Sequence, residues 1–188
     1  VQERQMVTQE GANTHVFAIE GNFDDAQTGV KRIFNDETFA EKLAGYGCKL
    51  SSANSINIGR LIPQVAYYVY GYVKLVERGV IADGDKVNIV VPTGNFGNIL
   101  AAYYAGKMGI PVNRFICASN KNKVLTDFFE TGVYDTNREF YLTNSPSMDI
   151  LISSNLERLL YHLAGNDGGE IRRLMDQLES DKRYQVSD

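Results

Sequence analysis

Two short apolar runs bracket a glycine loop and a single helical pattern between Val87 and Ala118, and this arrangement limits the chain to few folds. The first run is Val87-Asn88-Ile89-Val90-Val91-Pro92, the loop spans Gly94 to Gly97, a helix is predicted over about 98–108, and the second run covers 112–118. Proline lacks an N–H, so Pro92 suits the end of a strand. Gly109 suits the C-terminal cap of the intervening helix. Strand, helix and strand within about 30 residues make a βαβ unit, whose strands lie parallel with a right-handed crossover. The fold class is therefore α/β, a parallel sheet layered with helices.

The remaining chain is arranged around that unit. Residues 14–20, Thr-His-Val-Phe-Ala-Ile-Glu, read as a buried strand. Phe23, Ala26, Val30, Ile33 and Phe34 share one helical face, and a short helix is expected over 37–45 with Phe39 and Leu43 inward. Leu61, Val65, Tyr68, Val69, Tyr72, Leu75 and Val76 repeat at the three-to-four spacing of a long core-facing helix. A helix is expected at 121–131. Ser154 and Glu157 have capping-box spacing ahead of Leu156, Leu159, Leu160 and Leu163. A charged helix follows over about 170–181. The expected division is a small lobe over 1–57, a larger lobe over 58–164 and a helical tail over 165–188.

Composition excludes several classes. With 44% apolar residues and a net charge of −4, the chain is neither disordered nor basic enough to hold nucleic acid. Its apolar runs are too short to span a bilayer, and no secretory signal is visible. Cys48 and Cys117 have no metal-ligand or redox spacing and read as free thiols of a reducing cytoplasm. His15 and His162 are far apart and read as structural or surface residues. No metal site is expected. The opening Val-Gln-Glu-Arg, without methionine, suggests an internal piece of a longer protein.

Three segments could carry chemistry. In Pro92-Thr93-Gly94-Asn95-Phe96-Gly97-Asn98, glycines permit a tight turn into a helix whose first N–H groups lack internal partners, a setting that favours an anion such as phosphate. The bare alternative is a strand-to-helix turn. No Lys-Ser/Thr follows and the pattern is not Gly-x-Gly-x-x-Gly, which disfavours nucleoside triphosphates and dinucleotides. In Ser52-Ala53-Asn54-Ser55-Ile56-Asn57-Ile58-Gly59-Arg60, short hydroxyl and amide side chains precede a long helix. Asn57 or Ser55 could cap it. Arg60, in a first turn where the helix dipole disfavours it, invites an anionic partner. Ser145-Pro146-Ser147-Met148-Asp149-Ile150 and Ser153-Ser154-Asn155-Leu156-Glu157-Arg158 read locally as a turn and a helix start.

Together, Pro-Thr-Gly-Asn-Phe-Gly-Asn at 92–98, Asn-Ser-Ile-Asn-x-x-Arg at 54–60 and Ser-Pro-Ser-Met-Asp at 145–149 resemble the threonine synthases, over residues 1 to about 163. Gln2-Glu3-Arg4-Gln5-Met6 and Ala18-Ile19-Glu20-Gly21-Asn22-Phe23-Asp24 also look like that family. The resemblance implies a two-lobed pyridoxal-phosphate (PLP) enzyme of fold type II, related to the tryptophan synthase β chain. It implies that Gly94, Asn95, Phe96, Gly97 and Asn98 hold the PLP phosphate and that Asn95 also faces substrate. It assigns Asn54, Ser55 and Arg60 to the phosphate of O-phospho-L-homoserine, which the family converts with water to L-threonine and phosphate. The roles of Ser147 and Asp149 stay open, as does oligomeric state.

The departures matter equally. The family's Schiff-base lysine sits in a Phe-Lys-Asp-like motif absent here. Lys74, Lys86, Lys107, Lys121 and Lys123 lack that context, so no catalytic residue is assigned and the chain by itself is expected to be inactive. A serine or threonine dehydratase is a rival reading, but such an enzyme has no substrate phosphate for the 54–60 segment to hold. A non-catalytic, threonine-synthase-like binding protein is another.

Overall fold

A computed structural model describes residues 4, 7–21, 23–52 and 57–186. The chain divides into two compact units, Val1–Ser51 and Ser52–Asp188.

The first unit contains helices α1 (Phe23–Phe34) and α2 (Glu37–Gly45). Asp36 caps α2 by accepting a hydrogen bond from the Phe39 N–H at 2.9 Å. The strand expected over 14–20 does not form. Those residues have no ladder beyond a single Gly11–Thr14 bridge, and Phe17 is 85% exposed. An apolar run becomes a strand only where another strand accepts its hydrogen bonds, and the unit supplies none among the described residues. Phe39, expected inward, is also exposed, as are Val30, Ile33 and Phe34. Two short helices offer too little opposing surface to cover those faces.

The second unit holds the core. Helix α3 (Ile58–Glu77) opens at Asn57, whose extended backbone and side chain cap the Gly59 N–H at 2.9 Å. Strand β1 (Val87–Pro92), helix α4 (Gly97–Lys107) and strand β2 (Val112–Ala118) form the expected βαβ unit, with β1 and β2 parallel and Val90 opposite Ile116. Beyond Pro92 the pairing continues through the Thr93 N–H to the Ala118 carbonyl at 2.8 Å. Leu61 and Val65 of α3 pack with Ile99, Leu100, Ala101 and Ala105 of α4. The small residues on α4 allow close approach, and α4 is buried along much of its surface.

Helix α5 (Val124–Thr131) starts three residues later than the sequence suggests, because Asn120 and Asn122 are drawn into the polar network described below. It closes at Gly132 and leads into β3 (Val133–Asp135). A long irregular segment containing one 3-10 turn, Pro146–Met148, follows. Helices α6 (Leu156–Leu163) and α7 (Gly168–Asp181) come next, then β4 (Arg183–Gln185), which pairs antiparallel with β3. This last pairing was not foreseen in the sequence, where the tail reads as helical throughout. Tyr134 and Tyr184 stack across it with ring centroids 5.1 Å apart. No helix among the described residues is long and apolar enough to cross a membrane.

Candidate phosphate cradle

The glycine loop lies where an open α/β sheet places its ligands, at the carboxyl end of a strand. Thr93 is buried and folds its hydroxyl back onto the Val91 carbonyl at 2.7 Å. Phe96 then takes the left-handed conformation, φ 62° and ψ 5°, a region costly for a residue with a side chain. Burial of its ring, 4% exposed and 6.1 Å from the Phe129 ring, offsets that strain. A left-handed residue followed directly by a helix turns successive N–H groups toward one concavity, an anion nest. No side chain caps α4, so its leading N–H groups keep their capacity to donate. Among the described residues, the N–H groups of Asn95 and Phe96 donate to nothing.

Two further features bear on what the loop can hold. A Cβ placed on Gly94 would lie 2.9 Å from the Ser147 carbonyl oxygen, so the loop and the 146–148 turn pack backbone to backbone. Among the described residues, Asn95 Oδ1 is buried without a hydrogen-bond partner, as is Ser154 Oγ. A buried polar atom left unpaired costs about 1–3 kcal/mol, so an acceptor such as Asn95 Oδ1 calls for a donor. Unpaired N–H groups, a helix N-terminus and an orphaned amide oxygen fit a phosphorylated cofactor.

The sequence-derived site residues are placed unequally. Gly94, Asn95, Phe96, Gly97 and Asn98 form the loop and the start of α4. The Asn98 side chain, however, is occupied: it donates to Gln64 Oε1 at 2.9 Å and accepts from the Tyr68 hydroxyl. Burial raises the Tyr68 pKa and so keeps that donor protonated. Asn98 can therefore serve the cradle through its main-chain N–H, while its side chain ties α4 to α3. Gln64 in turn donates to the Arg60 carbonyl at 3.1 Å. Arg60 itself lies exposed in the first turn of α3, one turn before Gln64. The structure thus links the first turns of the two helices that the sequence singled out. Asn54 and Ser55 lie outside the described residues.

Ser147 and Asp149 acquire plain structural roles. Asp149 is 3% exposed and accepts from the Thr143 N–H (2.8 Å), the Thr143 hydroxyl (2.8 Å), Asn120 (2.6 Å) and Asn122 (3.0 Å). Burial alone would raise its pKa; the four hydrogen bonds outweigh burial and hold the carboxyl below its usual range. The network fixes the segment whose Ser147 carbonyl abuts Gly94.

The capping box expected at Ser154–Glu157 does not form. Asn155 occupies the N-cap position with no side-chain cap, and Ser154 Oγ bonds to nothing. The polar run 153–155 is turned instead toward the glycine loop. The Ser153 hydroxyl donates to the Gly94 carbonyl at 2.8 Å, and the Asn155 N–H and side-chain amide donate to the Asn95 carbonyl at 3.1 and 2.8 Å. Its two hydroxyls and amide were the signal for these contacts, but nothing local names their partners. His162 is structural as expected, bonded to Tyr104 (3.1 Å) and Asn166 (3.2 Å).

The parallel βαβ layer is that of the fold-type-II architecture of PLP-dependent enzymes. A chain titled PLP-bound threonine synthase from Brucella melitensis superposes with a TM-score of 0.83 at 43% identity, over 100% of this chain and 38% of that one. "Threonine synthase-like 1" of Macaca fascicularis is 52% identical over 98% of this chain and 25% of its own length. "Threonine synthase" of Pseudomonas aeruginosa is 42% identical over 100% of this chain and 38% of its own. The chain belongs to the threonine synthase family and spans about a quarter to two fifths of these relatives' length. No protein-family model matches it.

Proposed function

We propose that the full-length protein carrying this chain is a threonine synthase, which uses PLP to convert O-phospho-L-homoserine and water to L-threonine and phosphate. The observation that carries the reading is the cradle: a left-handed Phe96 at an uncapped helix N-terminus beside the orphaned Asn95 Oδ1. Similarity to enzymes named threonine synthase supports it. When bound, PLP supplies an electron sink for carbanion chemistry at the substrate.

This chain contributes binding and orientation. The N–H groups from Asn95 to Asn98, aided by the α4 dipole, hold the cofactor phosphate. Asn95 presents its amide oxygen to a donor on the bound molecules. Asn54, Ser55 and Arg60 bind the substrate phosphate, fix the leaving group and offset its charge as it departs. The lysine that carries the cofactor in this family belongs to a motif this sequence does not contain, so the chain alone does not turn over. The protein works in the cytoplasm, with Cys48 and Cys117 as free thiols.

Higher identity to a protein called threonine synthase-like than to the synthase of Pseudomonas aeruginosa favours a second reading, a phosphate-binding relative without synthase activity. The deciding measurement is phosphate release from O-phospho-L-homoserine by the full-length protein with PLP. Release establishes the synthase; PLP binding without release favours the relative. Arg60→Ala should raise the KM for O-phospho-L-homoserine about tenfold or more, the value of one charge-assisted hydrogen bond, and leave PLP affinity unchanged. Equal loss of both would remove Arg60 from the substrate site.

A further inference from the structure

We infer that Ser153 and Asn155 are positioning residues that aim the N–H donors of the phosphate cradle by holding the carbonyls on the reverse side of the same peptides. The inference rests on the cofactor reading above.

A trans peptide is planar, and its C=O and N–H point in opposite directions. The Gly94 carbonyl shares a peptide with the Asn95 N–H, and the Asn95 carbonyl shares one with the Phe96 N–H. Both carbonyls are held from the same three-residue segment. Ser153 Oγ takes the first at 2.8 Å. Asn155 takes the second with two donors, its N–H at 3.1 Å and Nδ2 at 2.8 Å. The N–H groups of Asn95 and Phe96 are thereby turned away from residues 153–155. Neither N–H donates to anything among the described residues, and the same holds for those of Gly94 and Gly97 beside them.

The holding segment is itself fixed. Asn155 is 0% exposed, and its Oδ1 accepts from Arg158 Nη1, which leaves Nδ2 as the group facing Asn95. The Ser153 N–H donates to the Tyr134 hydroxyl at 2.8 Å, and that hydroxyl donates to the Leu151 carbonyl at 2.9 Å. The contacts span 59 and 60 residues of sequence, so they set the loop from outside rather than through its own turn preferences. They also help maintain the left-handed Phe96, since the peptide preceding it cannot rotate while the Asn95 carbonyl is held. Preorganised donors bind without the reorganisation that a mobile loop would need.

The test compares PLP with pyridoxal, which lacks the phosphate, in the full-length protein. Affinities for both are measured by absorbance titration of wild type, Ser153→Ala, Ser153→Thr and Asn155→Ala, with circular dichroism as the check on folding. Ser153→Ala and Asn155→Ala should each weaken PLP about tenfold or more and leave pyridoxal within about twofold, while Ser153→Thr, which keeps the hydroxyl, retains PLP affinity. Equal losses for both ligands, or no loss in Ser153→Ala, would overturn the inference. Should Asn155→Ala fail to fold, the Ser153→Ala and Ser153→Thr pair decides alone. A wild type that binds neither ligand would instead refute the cofactor reading on which the inference stands.

Discussion

Gly94 is the position where one added carbon should do the most local damage. The methyl of Gly94→Ala would meet the Ser147 carbonyl oxygen at 2.9 Å, and that oxygen is backbone, unable to swing aside as a flexible side chain would. The 146–148 turn must move or the loop must. Overpacking of this kind costs about 1–3 kcal/mol. Gly94→Ala should therefore lower the unfolding free energy by that amount and weaken PLP binding, measured by urea unfolding and cofactor titration. Unchanged stability and unchanged binding would show that the two backbones do not meet. At this scale the sequence was partly legible. The glycines announced a tight turn into a helix start, and Asn57 announced its cap. The commitment of the Asn98 side chain to Gln64 and Tyr68 was not legible, because those partners lie 34 and 30 residues away on another helix. Ser154 shows the opposite error: its spacing to Glu157 fits a capping box, yet the backbone there is set by the contacts of Ser153 and Asn155 with the glycine loop.

The irregular segment between β3 and α6 behaves as an element although it has little regular structure. Its order comes from Asp149, a buried carboxylate with four donors arranged around it. Asp149→Ala would leave those donors facing an apolar methyl, and a single buried donor without a partner costs about 1–3 kcal/mol. A total loss of about 3 kcal/mol or more is expected by chemical denaturation. The pH dependence follows from the lowered pKa. The carboxylate is favoured in the folded protein, so its contribution is complete above the unfolded value of about 4 and disappears as pH falls through the lower folded value. The acid-limb slope should accordingly be shallower in Asp149→Ala than in wild type. Among the elements, β1 and β2 were readable because their apolar runs end at proline and glycine signals and because each meets the other in a parallel ladder. The apolar run at 14–20 carries a similar local signal and stays irregular, for lack among the described residues of a strand to receive it. Strands β3 and β4 span three residues each, too short for any alternation to register.

On the scale of the second unit, one group connects the terminal strand pair to the cradle. Tyr134 is 1% exposed, stacks on Tyr184 and holds the 151–153 segment through its hydroxyl, which both donates to Leu151 and accepts from Ser153. Neither the stacking nor the hydroxyl's double role could be read from sequence, since Tyr184 lies in the tail and Leu151 in an irregular stretch. Burial raises the Tyr134 pKa to about 12, with the Ser153 hydrogen bond and Arg138 opposing it, and burial also raises that of Tyr184. The folded state favours the protonated phenol, so the contribution of Tyr134 is complete below about pH 10 and is lost as pH rises from about 10 to about 12. Two pKa units correspond to about 3 kcal/mol. Tyr134→Phe should cost about 1–3 kcal/mol at pH 8 through the lost hydrogen bonds, and its stability should fall less steeply than wild type between pH 10 and 12, Tyr184 still titrating in both. Denaturant titrations across that range measure the difference, which cancels the lysines and other groups common to the two proteins. Parallel alkaline limbs would mean that the Tyr134 phenol is not buried in the folded protein. A shallower limb accompanied by weaker PLP binding at pH 8 would mean that the strand pair and the cradle are mechanically joined through Ser153.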